Sequence, residues 1–212
     1  MLRFERAAWD EGAQWIAGLD EAGRGCLAGP VFAGAVAITR QHSLPDVRDS
    51  KTLSELQRET LYAQLRGRAI PLGVGQASVA EIEKLNIYQA SILAMKRALA
   101  ALGGRPCLVL IDGLSIPGLP FAQQKVIKGD ARCASIAAAS IVAKVERDRY
   151  MVQMEEEYPG YGFAKHKGYA TPEHKSALTE LGPCPLHRCS FKPVRELLLG
   201  NLYTELGEAG LL

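Results

Sequence analysis

The chain has 212 residues, 48% of them hydrophobic and 23% charged, with a net charge of +2. That length and balance suit one globular domain with a full core. The small net charge excludes a uniformly basic nucleic-acid binder, so any basic face must come from local clustering.

Five cysteines, Cys26, Cys107, Cys133, Cys184 and Cys189, are scattered and odd in number. Cys184-Pro-Leu-His187-Arg-Cys189 lacks the spacing of a zinc site, and reduced thiols in a cytoplasmic protein are expected instead. The start, Met1-Leu-Arg-Phe-Glu-Arg6, has no signal-peptide core, and no apolar run approaches the roughly 20 residues of a membrane span. The expectation is a monomer without a membrane segment.

An apolar run from Trp15 leads into Asp20-Glu21 and then Gly23-Arg24-Gly25, which predicts a buried strand ending in two acids. Val31 to Thr39 predicts a second strand, antiparallel to the first across the glycine-rich turn. Asp46 to Lys51 reads as a polar loop. A capping box, Ser54-Glu-Leu-Gln57, opens a helix to about Arg66, with Leu53, Leu56, Leu61 and Leu65 as its buried stripe. Ile70 to Ser78 reads as a third strand weakened by Gly73 and Gly75. A second capping box, Ser78-Val-Ala-Glu81, precedes a helix over Asn86–Leu102 that Gly103-Gly104 stops.

Cys107 to Asp112 is a continuous apolar run ending in an acid, and Lys125 to Asp130 predicts a fifth strand with the same ending. Ala131 to about Glu157 reads as a long helix whose small-residue first half suits close seating on a sheet. Its charged second half is expected to project outward. Lys165 to Lys175 is a basic loop with a helix start at Thr171-Pro172, and a last helix runs from about Pro193. The order predicts an α/β or mixed-sheet layered fold.

Three predicted strand ends carry acids: Asp20-Glu21, Asp112 and Asp130. Each alone fits a strand cap or a local ion pair. Together at one sheet edge they would repel unless metal ions were shared, and paired Mg²⁺ or Mn²⁺ serve in-line attack on phosphodiesters. Gly23-Arg24-Gly25-Cys26-Leu27-Ala28 also fits a dinucleotide-binding loop. That reading needs a helix next, and Gly29-Pro30 followed by strand-like Val31–Ile38 argues against it. Arg24 between two glycines suits a phosphate, and Lys165-His-Lys167-Gly-Tyr169 suits a nucleic-acid backbone and sugar. Lys51 and Lys144 are further candidates for phosphate contacts. His187-Arg188 with Ser190-Phe191 reads as structural or as a brace for the site.

Gly18-Leu-Asp20-Glu21-Ala-Gly23-Arg24-Gly25, Leu27-Ala-Gly-Pro-Val31, Asp49-Ser-Lys51, Ile111-Asp112-Gly113 and Lys128-Gly-Asp130 follow one another in this order. Ser135 to Lys144, His166-Lys-Gly-Tyr169 and His187-Arg188 with Ser190-Phe191 complete the set. This ordered set, over residues 15–195, resembles the ribonuclease HII family. The resemblance implies an RNase H-like fold, a five-stranded mixed sheet flanked by helices, within a single domain over 1–212 whose part from about 160 is helical. It implies Asp20, Glu21, Asp112 and Asp130 as catalytic, metal-holding acids for Mg²⁺ or Mn²⁺, one metal activating water and the other stabilising the leaving 3′-oxygen. Gly23, Arg24 and Gly25 would contact the backbone around the ribonucleotide, and Tyr169 would sense its 2′-OH.

The implied substrates are RNA–DNA hybrids and single ribonucleotides in duplex DNA, cut on the 5′ side to leave 3′-hydroxyl and 5′-phosphate ends. The related ribonuclease HIII carries an extra N-terminal domain, which the 19 residues before Asp20 leave no room for. The acids alone also permit another RNase H-like nuclease or a strand-transfer enzyme. The basic loop with Tyr169 alone permits a non-catalytic hybrid-binding protein.

Overall fold

The computed structural model describes residues 1–42, 44, 47 and 50–208, with side chains through residue 200. Most of the expected polar loop before Ser50, Asp49 included, lies outside the described residues. Five strands, β1 (Ile16–Ala22), β2 (Val31–Ile38), β3 (Leu72–Ala77), β4 (Leu108–Asp112) and β5 (Ala122–Val126), form one mixed sheet of order β3-β2-β1-β4-β5. β1 pairs antiparallel with β2 and parallel with β4. The register sets Leu19 opposite Ile111, so Asp20 and Asp112 follow at the same sheet edge.

The helices are α1 (Arg3–Asp10), α2 (Glu55–Gly67), α3 (Val79–Leu85), α4 (Ile87–Ala101), α5 (Gly129–Arg132), α6 (Ala134–Glu157), α7 (Phe163–His166), α8 (Pro172–Leu181) and α9 (Lys192–Glu208). Both expected capping boxes form: Ser54 exchanges hydrogen bonds with Gln57 before α2, and Ser78 with Glu81 before α3. Asn86, at φ 71°, separates α3 from α4 and caps the latter through Gln89 N–H.

One sheet face buries Ala17, Leu19, Ala33 and Ala35 under α4, and the other meets the small residues of α6. The contact with α6 is made at backbone distance. A Cβ on Gly34 would lie 2.2 Å from the Ala139 carbonyl oxygen, and one on Gly18 would lie 2.2 Å from the Ser135 carbonyl carbon. Gly73 and Gly75 admit α4 to β3 in the same way, so the glycines that weakened the third strand as a pattern are what its packing requires.

The structure corrects three expectations. Leu56 is 77% exposed rather than part of the α2 stripe. It lies nine residues from buried Leu65, half a turn out of phase on a helix of about 3.6 residues per turn, and Tyr62 takes the buried place. The fifth strand is Ala122–Val126, not Lys125–Asp130, and Asp130 sits on the short α5 after left-handed Lys128. β5 is an edge strand, and its Gln123 side chain pairs with both backbone groups of Ile116 at 2.8 Å. Finally, the second half of α6 does not simply project outward. Val145, Arg147, Asp148 and Met151 are buried, because this half is covered by the Gly23–Pro30 turn and α7.

The seating of α6 generates a paired prediction. Gly34→Ala should lower stability in urea unfolding by about 1–3 kcal/mol through overpacking. Gly67→Ala, which meets nothing within 4 Å at the end of α2, should raise it by about 0.5–1 kcal/mol.

Candidate active site

Asp20 comes from the end of β1, Asp112 from the end of β4 and Asp130 from α5. Each places a carboxylate oxygen within 4.8 Å of the others. Gly129 N–H donates to Asp112 Oδ1 at 2.6 Å, and Ala131 N–H to Asp130 Oδ1 at 3.0 Å. Two acids are therefore oriented by α5 backbone, so Asp130 needs no strand to reach the cluster. Glu21 N–H donates to Asp20 Oδ1 at 2.8 Å.

Glu21 lies beside this trio in a cleft of about 370 Å³ that Asp112, Ser140, Lys144 and Tyr169 also line. Its Oε1 accepts from Arg24 Nη1 at 3.0 Å, whereas its buried Oε2 has no hydrogen-bond partner. Burial, the Glu21 charge and the Asp112 charge push the Asp20 carboxyl well above its ordinary value. Burial also raises Glu21, against the pull of Arg24. Asp112 is raised by burial and by Asp130, against the Gly129 hydrogen bond. Asp20 is buried and Glu21 and Asp112 partly so, with their charges close together.

The cations divide by position. Lys51 Nζ lies 2.6 Å from Asp130 Oδ2 with its side chain largely exposed, at the cleft mouth. Lys144 Nζ lies 2.6 Å from Asp148 Oδ1 and 5.4 Å from the centre of the Tyr169 ring. Arg24 turns back toward Glu21, and Gly25 opens onto free space. Lys167 is not brought to the cleft. Its ammonium is folded onto the Ala164 carbonyl and faces Glu55 Oε1 at 3.6 Å. Tyr169 is 40% exposed beside the acids.

Arg58 and Arg147, unmarked in the sequence, join Arg188 around the site. Arg58 lines the cleft, donates to the Ser50 and Leu53 carbonyls and approaches Asp148 at 3.7 Å. Fully buried Arg147 donates to the carbonyls of Ala28, Pro30 and Lys167. Arg188, also fully buried, donates to the carbonyls of Gly23, Arg24 and Gly29 at 2.7–3.0 Å. Burial lowers its pKa to about 10. A Cβ on Gly23, at φ 93°, would strike Arg147 Nε at 2.0 Å, so this position requires glycine twice over. Two guanidinium groups hydrogen-bonded to backbone oxygens thus hold the Gly23–Pro30 turn. Charged residues on a helix ordinarily read as a solvated face, and only Arg188 stood in a segment read as a possible brace.

A mixed five-stranded sheet with acids gathered at the ends of its central parallel strands defines an RNase H-like protein with a candidate metal-dependent phosphodiesterase site. A profile of the ribonuclease HII family matches residues 17–194, and the chain belongs to that family. It is 50% identical to ribonuclease HII of Geobacillus kaustophilus over 198 residues, 93% of this chain and 76% of that one. It is 50% identical to ribonuclease HII of Albidiferax ferrireducens over 190 residues, 90% and 91% of the two chains. Ribonuclease H2 from Pyrococcus horikoshii superposes with a TM-score of 0.75 at 27% identity, covering 86% of this chain and 96% of that one.

A carboxyl whose folded pKa is raised binds its proton more tightly in the folded chain, so its ionisation lowers stability as pH rises through the raised value. In chelator at neutral pH, Asp20→Asn should therefore stabilise the protein by roughly 0.5–2 kcal/mol, as relief of functional-site strain commonly does. Thermal melts of the two proteins would show it, and a lower melting temperature for Asp20→Asn would contradict the electrostatic account.

Proposed function

We propose that this chain is a metal-dependent endoribonuclease acting on RNA in RNA–DNA hybrids and on single ribonucleotides embedded in duplex DNA. It cuts on the 5′ side of the ribonucleotide and leaves 3′-hydroxyl and 5′-phosphate ends. The observation that carries this reading is the meeting of Asp20, Asp112 and Asp130 within 4.8 Å in a protein of this family.

The donor set fits divalent metal. All the converging groups are hard carboxylate oxygens, and the Glu21 oxygen left without a partner has no donor to compensate it. Asp20, Glu21, Asp112 and Asp130 would hold Mg²⁺ or Mn²⁺, two ions in the reading we favour. When bound, such ions acidify water and offset charge on the leaving oxygen.

The remaining residues bind and orient. Lys51 at the mouth and Lys144 within the cleft supply positive charge for phosphates. The Gly23-Arg24-Gly25 turn, held from behind by Arg147 and Arg188, lets backbone approach the nucleic acid closely. Tyr169 presents a ring for the ribose and a hydroxyl for its 2′-OH, the group that separates RNA from DNA. The Lys167 ammonium supports the loop rather than contacting substrate. We further propose one catalytic domain over 1–212, acting as a cytoplasmic monomer, a compartment to which five unpaired cysteines are suited.

A DNA duplex carrying one ribonucleotide tests the reading. With Mg²⁺ or Mn²⁺ the protein should cut 5′ of the ribonucleotide, and chelator should stop it. Asp20→Asn should lose at least on the order of 10²-fold in rate. Undiminished cutting by that variant would sink the proposal. Tyr169→Phe should weaken the preference for ribose over deoxyribose roughly 10-fold, the worth of one hydrogen bond to a polar substrate group.

A further inference from the structure

Behind the Tyr169 loop three histidines lie buried against one another: His166 from α7, His174 from α8 and His187 from the segment before α9. The rings of His166 and His174 stack with centroids 4.2 Å apart, and His174 Nε2 lies 3.1 Å from His187 Nε2. Their neighbours leave a single pattern of ring protons.

His174 Nδ1 lies 2.8 Å from the Tyr169 carbonyl oxygen, which can only accept, so Nδ1 carries the proton. His187 Nδ1 accepts from Cys184 N–H at 3.0 Å, so its proton is on Nε2. That Nε2–H donates to the bare Nε2 of His174. His166 completes the set: Nδ1 accepts from Gly168 N–H at 3.1 Å, and Nε2–H donates to the Tyr161 carbonyl at 2.7 Å. Every ring nitrogen is used, and an added proton on any ring would confront another N–H.

The side chains packed on His174 and His187 are neutral, and the carboxylate that reaches the His166 ring through space, Glu173, is already paired with Lys165. His187 faces the Cys184 thiol at 3.2 Å, and Phe163 packs edge-on against His174. Tyr161 sends its hydroxyl to the Gly182 carbonyl, and Glu173 turns away to Lys165. Burial holds His174 low and His187, helped by its histidine neighbours, at about 4. His174 and His187 therefore contribute their full stability above the ordinary histidine value, about 6.5. The His187 part of that contribution is lost as pH falls toward about 4.

The trio grips the loop that carries Tyr169. His166 O accepts Tyr169 N–H at 2.9 Å, His174 holds the Tyr169 carbonyl, and Gly168 O accepts Leu27 N–H at 2.8 Å from the glycine-rich turn. We propose that His187 and His174 are positioning residues for Tyr169: His187 fixes the tautomer of His174, whose Nδ1–H sets where Tyr169 stands beside the acids. The functional half of this relay rests on the reading of Tyr169 as the ribose sensor.

Ring ¹⁵N spectra of the uncomplexed wild-type protein test the relay with no variant needing to fold. Near pH 7, about half a unit above the ordinary histidine value, His174 should be neutral with its proton on Nδ1 and His187 neutral with its proton on Nε2. An Nε2–H tautomer on His174 overturns the relay alone. For function, His174→Asn keeps an amide N–H where Nδ1 stood, and His174→Phe keeps a ring without it. On the single-ribonucleotide duplex, His174→Phe should lose roughly 10-fold in kcat/KM and His174→Asn at most about 3-fold, as expected for one buried hydrogen bond. The loss from His174→Phe should vanish in a Tyr169→Ala background, because residues acting through one another are not additive. Equal losses in both backgrounds overturn the positioning role. A Tyr169→Ala variant with unchanged ribose preference overturns the sensor reading instead, and the spectra still report separately on the relay.

Discussion

The structure depends on how closely α6 can lie on the sheet. Ala139 and Ser135 reach the backbone of β2 and β1 at Gly34 and Gly18, leaving no room for a single added carbon. That seating runs the helix past the ends of β1 and β4. Ser140 and Lys144 then arrive in the cleft beside the acids, and Arg147 and Asp148 arrive just behind it. Glu5 of α1 secures the start of the same helix, its carboxylate accepting from Ser135 N–H at 2.8 Å and from the Ser135 hydroxyl at 2.9 Å. Packing geometry and site geometry are the same fact here.

The site this produces is unbalanced by design of its neighbours. The acids stand with each other's charge close by, while two buried guanidinium groups under the adjoining turn hydrogen-bond to carbonyl oxygens and face the rings of Tyr169 and Phe191. The acid cluster beside this turn holds more carboxylates than cations, a donor set that divalent metal suits, since unpaired buried charge is costly until a partner arrives. The Tyr169 loop bridges the two, tied to the turn through Leu27 and Arg147 and to the histidine trio behind it.

Much of this was legible beforehand, for physical reasons. β1, β2 and β4 are apolar runs buried on both faces, so their strand character and the acids ending β1 and β4 stand out in the chain. The edge strand β5 was misplaced because Ala122-Gln-Gln-Lys-Val126 carries no apolar pattern, and Gln123 earns its place through backbone contacts that only the fold creates. Arg147, Asp148 and Arg58 were invisible because charged helix residues read as solvated. Lys167 sits in a basic motif, and the motif does not encode that its ammonium lies on the Ala164 carbonyl. The histidine trio is spread over three segments and exists only after they pack.

Mn²⁺ binding followed by electron paramagnetic resonance, with no substrate present, tests most directly whether the strand-end acids form one metal-holding unit. The account predicts that wild-type protein takes up Mn²⁺ and that Asp112→Asn, which removes one converging carboxylate, binds at least about 10-fold more weakly. Equal Mn²⁺ affinity in the two proteins would contradict it.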